Sequence, residues 1–282
     1  MKYFDRANTG LGHLALALAA LLVGSVAARA SQPEAGLFPI ALSNDLLLEF
    51  RQPKAGQGDG AVEWSQRQLK QMVRIPGMKA GQFLVATAGS AVSKPAFQHL
   101  SMYELSADSA ANLEAELAKR VQDGRLQKGD DLFEPTGFRN LFRPLWTEVM
   151  ARDIPGANPE ALGAGPLSVD YLFVLSDPAT PEQEDEYNSW YDLQHVPDVL
   201  RVPGFYSAQR YVRVAGSSKT PRYMVIFKFR TRDNEATNAE VRRRIQEKIT
   251  RMSPAFGMTP GAMSLGGSYV PTGPRVSSSG SR

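Results

Sequence analysis

Trp190-Tyr191-Asp192-Leu193-Gln194-His195-Val196-Pro197-Asp198-Val199-Leu200, running on to Pro203-Gly204-Phe205, is the stretch on which the reading of this chain turns. Working backwards, Thr180-Pro181-Glu182-Gln183 reads as a helix start, with a threonine cap, a proline in the first turn and a capping-box glutamine. Tyr171 to Leu175 is a short apolar run of strand length. Pro197 predicts the end of the helix, because it removes a donor and crowds the preceding turn. Working forwards, Phe205 to Val214 and Tyr223 to Phe229 alternate as strands around the turn-forming Gly216-Ser217-Ser218. Ala236 to Ile249 reads as a basic helix, and Met263 to Val270 as a weak last strand. The order is strand, helix, strand, strand, helix, strand.

The same order is written earlier in the chain. Leu46 to Phe50 is a strand, Trp64 to Ile75 a helix ending at Pro76-Gly77, and Gln82 to Val85 and His99 to Leu105 are strands. Ala110 to Val121 is a second helix and Leu141 to Val149 a last strand. Trp64 and Trp190, Gly77 and Gly204, and Gln82 and Gln209 are spaced by 126 to 127 residues, which points to internal duplication. The expected organisation is a first repeat over 37–151, a Gly/Pro/Ala-rich linker over 152–167, a second repeat over 168–272 and a disordered tail over 273–282. The fold class is α+β, two βαββαβ units. Helices on one face of each antiparallel sheet leave the other face bare and apolar, so the two sheets are expected to pack face to face as a barrel-like sandwich around a shared cavity.

Residues 1–30 read as a cleavable Sec-type signal peptide, with Lys2 and Arg6, an apolar run from Leu14 to Val23, and Ala28-Arg29-Ala30 as the small-x-small cleavage pattern. Localisation in the periplasm or outside the cell is the resulting expectation. Loss of that segment removes Lys2, Arg6, Arg29 and Asp5 and lowers the formal charge from +3 to +1. Such a balance gives no electrostatic case for nucleic acid, and no later run is long enough for a membrane span. With no cysteine anywhere, disulfides, thiolate nucleophiles and cysteine-bound metals are excluded.

Trp190-Tyr191-Asp192-x-x-His195-x-Pro197-Asp198-x-Leu200, Pro203-Gly204-Phe205 and Gln209-Arg210-Tyr211 resemble the EthD-like branch of the dimeric α/β-barrel superfamily. The resemblance covers about 60 residues of the second repeat and is only architectural over the first. It implies ferredoxin-like units that pair through their sheets, within one chain or between two copies of a homodimer. Relatives there include cyclases, isomerases, cofactor-free monooxygenases, lyases and some haem-binding enzymes. In the first repeat Gln66 and Leu69 align with Asp192 and His195, so the first repeat reads as scaffolding with a degenerate site.

The candidate site centres on that motif. On an unbroken helix Asp192 lies one turn before His195 on the same face, and Asp198 could reach it from the next turn. A carboxylate would fix the imidazole tautomer and raise its basicity, which suits a general base. The bland reading is that His195 bonds a carbonyl freed by Pro197. Tyr191 has no aromatic counterpart in the first repeat and could donate to an oxyanion, whereas Trp190 and Tyr187 read as core anchors or pocket walls. His99, Phe205 and Gln209 complete the substrate-binding candidates, with His99 at the mouth of the shared cavity or merely at a strand end. No spacing of metal ligands is present. Haem held by His195 or His99 is an open alternative without a supporting motif. The expected function is a cofactor-independent lyase or dehydratase acting on a small hydrophobic, aromatic or phenolic molecule. A non-catalytic hydrophobic-ligand-binding protein, or a monooxygenase of the same superfamily, is the alternative.

Overall fold

In the computed structural model, the described residues are 42–87, 95–106, 109–257 and 266–278. The expected signal peptide, the start of the expected last strand at Met263 and residues 279–282 lie outside them. The elements in chain order are β1 (Asp45–Arg51), α1 (Gly58–Met72), β2 (Met78–Ala86), β3 (His99–Leu105), α2 (Ala110–Gln122), β4 (Phe138–Pro144) and β5 (Val149–Met150). The second half has β6 (Ser168–Pro178), α3 (Glu184–Trp190), α4 (Val196–Leu200), β7 (Phe205–Gly216), β8 (Tyr223–Thr231), α5 (Asn234–Gln246), β9 (Phe256–Gly257), β10 (Gly267–Pro271) and β11 (Val276–Ser277). No described helix is long and apolar enough to cross a membrane.

The strands run β2-β3-β1-β4-β7-β8-β6-β10, and β10 then pairs with β2, closing an antiparallel barrel of eight strands. Each half orders its strands alike: β4-β1-β3-β2 in one and β10-β6-β8-β7 in the other. The expected barrel-like packing of two antiparallel sheets is found here as one closed barrel. The sheets join along both edges, at β4–β7 and at β10–β2, which removes the unpaired backbone that two open sheets would expose.

Side-chain alternation sorts the residues into three layers. Leu46, Leu48 and Phe50 of β1 face the barrel interior with Leu100, Met102, Phe142, Tyr171, Phe173, Tyr211, Ile226 and Tyr269. Edge-on rings join the halves there, Phe50 to Phe173 at 6.2 Å and Phe173 to Tyr269 at 5.6 Å. Outside the barrel, Leu69, Met72, Leu113 and Leu117 of α1 and α2 pack on Leu47, Phe83 and Tyr103. On the other half, Tyr187, Trp190, Tyr191, Val199 and Val241 pack on Val225, Phe227 and Phe229.

Several boundaries differ from those the sequence predicts. The first helix begins at Gly58, six residues before Trp64. The strand expected over 141–149 breaks after Pro144 into β4 and β5, which both pair with β7; proline supplies no ladder donor at the break. The helix expected to reach Ile249 ends at Gln246, and Lys248 takes a left-handed conformation with φ 58°. Part of the expected disordered tail is instead strand, since Val276 and Ser277 pair with Gly81 and Ala80.

Gly204 closes the turn into β7 with φ 89°, and a Cβ there would lie 2.3 Å from the Arg230 carbonyl oxygen. Gly204→Ala is expected to lower the unfolding free energy by more than about 1 kcal/mol, read as a lower denaturant midpoint at unchanged slope.

Candidate functional site

The helical run that carries the motif is continuous but not uniform. A 3-10 turn at Pro181–Gln183 leads into α3, and Tyr191–His195 then forms a π-helical turn before α4. The Val196 N–H bonds the Tyr191 carbonyl, five residues back. Pro197 therefore does not end the helix. It sits in the first turn of α4, where the wide turn before it has already relieved the clash and the missing donor. The expected cap by the Thr180 side chain is also absent from the helix start.

The inserted residue rotates the succeeding turn by roughly 100°, and this separates the expected pair. Asp192 does not hold His195. Its Oδ1 accepts from Arg210 Nη1 at 2.6 Å and from Trp146 Nε1 at 2.8 Å. Asp198 accepts from Arg201 Nη1 at 2.9 Å and from the Arg251 main-chain N–H at 3.4 Å. The imidazole is buried, with Trp190 4.5 Å and Tyr191 5.0 Å away between ring centres. Burial, and next the positive charge of Arg210, lower its pKa to about 3 against a smaller opposing pull from the Arg251 main chain. His195 is thus a neutral imidazole, not a carboxylate-assisted base tuned near neutrality.

Arg210 is the residue that sequence reasoning undervalued. Strand alternation turns Tyr211 into the barrel and Arg210 outward beneath α3, where it is 1% exposed. Its Nη1 and Nη2 donate to the Asn188 carbonyl at 3.3 Å and to Asn188 Oδ1 at 2.6 Å, besides the pair with Asp192. Its guanidinium lies 4.6 Å from the Tyr191 ring centre, 5.4 Å from Tyr187 and 5.6 Å from Tyr223. Carboxylate, amide and ring faces together offset the cost of burying the cation. The available signal was an arginine flanked by the apolar Ala208 and Val212 on the outward face of the strand.

His195 Nδ1 is buried without a hydrogen-bond partner, and the buried Tyr191 Oη has only the Ser176 hydroxyl, which it shares with Tyr187. Burial pushes the Tyr191 hydroxyl up to about 12, against smaller opposing pulls from Ser176 and Arg210, so it is a donor at any ordinary pH. The Tyr187 hydroxyl is satisfied by Ser176 Oγ at 2.7 Å, and burial raises its pKa further still. Trp190 donates to the Arg251 carbonyl at 3.0 Å and acts as an anchor.

Three other candidates lie elsewhere. Phe205 stacks on Phe229 at 5.1 Å and fills the core. Gln209 shares the barrel-facing side with Tyr211 and donates to the Trp146 and Arg210 carbonyls, so it does not meet the imidazole. His99 belongs to the outer layer of the first half, 5.0 Å from Phe83 and 5.9 Å from Phe133, and does not face the second half. Burial lowers its pKa to about 4.

Among the described residues, no group of three or more His, Cys, Asp and Glu side chains could hold a metal ion. The surroundings of His195 do not fit haem. Trp190, Tyr191, Tyr187 and Phe256 pack at 4.8 to 6.4 Å between centres, which leaves no flat slot for a macrocycle beside the imidazole. His99 is likewise enclosed by rings.

No family model matches this chain, and no curated protein matches it. Among solved structures it is similar to an anthrone oxidase-like protein, with a TM-score of 0.56 and 11% identity over 85% of this chain and 96% of that one. It is less similar to a candidate monooxygenase from Fusobacterium nucleatum, with a TM-score of 0.48 and 8% identity over 83% and 94% of the two chains. A chlorite dismutase from Candidatus Nitrospira defluvii gives a TM-score of 0.45 and 9% identity over 82% and 91%. The first likeness shows the fold, a closed eight-stranded antiparallel barrel flanked by helices with both sheets supplied by a single chain.

Both buried histidines have folded-state pKa values below the unfolded value of 6.5, so the unfolded chain binds more protons below that pH. Stability is fully present above about pH 6.5 and falls as the pH drops toward about 4, by roughly 1.4 kcal/mol per pH unit for each histidine. Urea midpoints measured over this window are expected to show that slope, and His195→Gln is expected to remove about half of it.

Proposed function

We propose that the chain is an exported enzyme acting on a small aromatic or phenolic molecule through proton transfer. The substrate would be held between the α3–α4 helix and the outer face of β7 and β8. The observation that carries this reading is one constellation. Tyr191 Oη, which shares the Ser176 hydroxyl with Tyr187, and His195 Nδ1, which has no hydrogen-bond partner, are buried on rings 5.0 Å apart, beside an arginine that is also buried. Unsatisfied buried polar atoms are few in folded proteins, and one beside a donor hydroxyl and a fixed cation suits a ligand oxygen.

In this reading the substrate oxygen accepts from the Tyr191 hydroxyl and carries its negative charge toward Arg210. That charge offsets the guanidinium's repulsion of an imidazolium, so the bound substrate raises the basicity of His195. His195 Nδ1 then takes a proton from the carbon beside the activated group and returns it to the leaving group or a neighbouring carbon. A lyase, dehydratase, isomerase or cyclase uses these same parts. Asp192 and Trp146 are positioning residues, since they orient Arg210 and the turn rather than the imidazole. Entry would use the π turn, where Leu193 is 82% exposed and the helix is widened. Tandem duplication of an EthD-like unit, and cleavage after Ala30 for export, belong to the same proposal and rest on the residue patterns alone.

The probe for the oxyanion site is 4-nitrophenol, whose absorbance reports phenolate formation. Bound to the chain, its ionisation is expected to shift to lower pH, and Tyr191→Phe is expected to reduce that shift. With aromatic substrates carrying an enolisable carbonyl, His195→Gln is expected to lower kcat by about a hundredfold or more while phenolate binding persists. Equal turnover in this variant would leave a ligand-binding protein in place of the enzyme. No phenolate shift in the unmodified chain would remove the site altogether.

A further inference from the structure

The two seams that close the barrel are built on one frame, and strand register shows which residues correspond. Gln82 of β2 lies opposite Met102 of β3, as Gln209 of β7 lies opposite Ile226 of β8. Pro271 of β10 meets Leu84, as Pro144 of β4 meets Tyr211. Val276 of β11 meets Gly81, as Val149 of β5 meets Ala208. Each seam is tied by its own glutamine in the same way. Gln82 Nε2 donates to the Phe83 and Gly273 carbonyls, both at 3.1 Å. Gln209 Nε2 donates to the Arg210 carbonyl at 3.0 Å and to the Trp146 carbonyl at 2.5 Å.

Charge breaks this likeness. The same registers make Glu104, opposite Ala80, the counterpart of Lys228, opposite Ser207. Arg275 and Glu148 correspond too, each standing one residue before the short strand that ends its seam, β11 or β5. Arg275 Nη2 donates to Glu104 Oε1 at 2.9 Å, and Lys228 Nζ lies 3.0 Å from Glu148 Oε1. Glu104 is 2% exposed and Lys228 6%, so both strand residues are withdrawn from water. Asn44 Nδ2 donates to Glu104 Oε2 at 3.1 Å and Ser207 Oγ to Glu148 Oε1 at 2.5 Å, which fixes each carboxylate further. One seam thus sets a carboxylate on the strand and a cation on the connection. The other seam sets them the opposite way round.

We propose that this inversion makes the barrel-forming surface of each half fit only the unlike half, and reject a like half offered by a second copy of the chain. The matching frame is what creates the need. A like half would meet the same strand registers and the same glutamine, so backbone pairing by itself does not discriminate. Charge does. Pairing of two first halves would bring Glu148 of one copy to Glu104 of the other, and pairing of two second halves would bring Arg275 to Lys228. Two carboxylates, or two cations, would then share a site with little water and no counter-charge. Rejection of a wrong partner by like charges is a common source of specificity between otherwise similar surfaces. Tethering the unlike halves in one chain adds a high effective concentration of the right partner. The device acts on closure of the barrel and is independent of the site around Arg210.

The chain has no cysteine, so an introduced disulfide reports pairing directly. Ala208 faces Val149 and Val276 faces Gly81 within the fold. Only pairing of two second halves sets position 276 of one copy opposite position 208 of another, at a spacing a disulfide can bridge. The full chain carrying Ala208→Cys and Val276→Cys, refolded from urea with oxidised glutathione, is expected to give little covalent dimer. Adding Glu104→Lys with Arg275→Glu gives both seams one polarity and is expected to raise the dimer about tenfold or more. Adding Glu148→Lys with Lys228→Glu instead is expected to do the same. All of these charge changes together restore opposite polarity and are expected to return the dimer to its starting level. Equal dimer in every one of these chains, or abundant dimer with the native charges, overturns the proposal. Glu104→Lys alone is expected to lower the urea midpoint and Arg275→Glu to restore it, so a double variant that stays unfolded also overturns it.

Discussion

Strand β10 is five residues long, and the rest of the molecule is arranged around its double pairing. On one side Tyr269, Val270 and Pro271 meet Ala86, Val85 and Leu84 of β2; on the other Gly267, Ser268 and Tyr269 meet Phe173, Leu172 and Tyr171 of β6. A chain that failed to place this strand would keep two open edges and an apolar face in water. With it, the sheet closes and the Tyr269 ring joins Phe50 and Phe173 inside, its hydroxyl bonded to the Phe97 carbonyl at 2.9 Å. Closure lets one short segment satisfy both backbone and core, since in a barrel the same curvature pairs the edges and packs the interior.

Closure also sets the geometry outside the barrel. Pairing of β4 with β7 carries Trp146, from the end of the first half, to Asp192 on the helix of the second. The candidate site is therefore built from both halves, although its chemistry sits on one. Within it a single buried cation orders the neighbours. Arg210 draws Asp192 away from the imidazole, gathers three tyrosine faces, and with burial keeps His195 neutral. Electrostatics in a layer with little water acts over longer reach than at the surface, so one guanidinium outweighs the sequence neighbour that looked like the histidine's partner.

The two helical layers illustrate how the same strand order can serve different ends. The second half presents apolar strands to an aromatic helix and concentrates its polarity around Arg210. The first half spreads charge across three strands and leaves open space over it. The first half has no histidine on its first helix and carries its buried ionisable side chains on the sheet instead.

Alternation and helical spacing in the sequence were enough to place the principal strands and helices, the repeated order and the apolar faces, because period two and period 3.6 are local properties that no partner alters. Tyr191 and His195 were singled out instead by the motif around them and by its absence from the first half. Local spacing misplaced the Asp192–His195 pair, since a π turn adds a residue without any signature at 3.6 periodicity, and it read Pro197 as a stop for the same reason. Arg210 with Asp192, Trp146 with Asp192, and His99 with Phe133 are contacts between residues far apart in the chain. Edge pairing of the sheets, the neutral state of the histidine and the burial of ionisable side chains in the first half came from tertiary structure alone. Register between distant strands and the burial of charge are settled only when the barrel closes, and no window of sequence contains both sides of that choice.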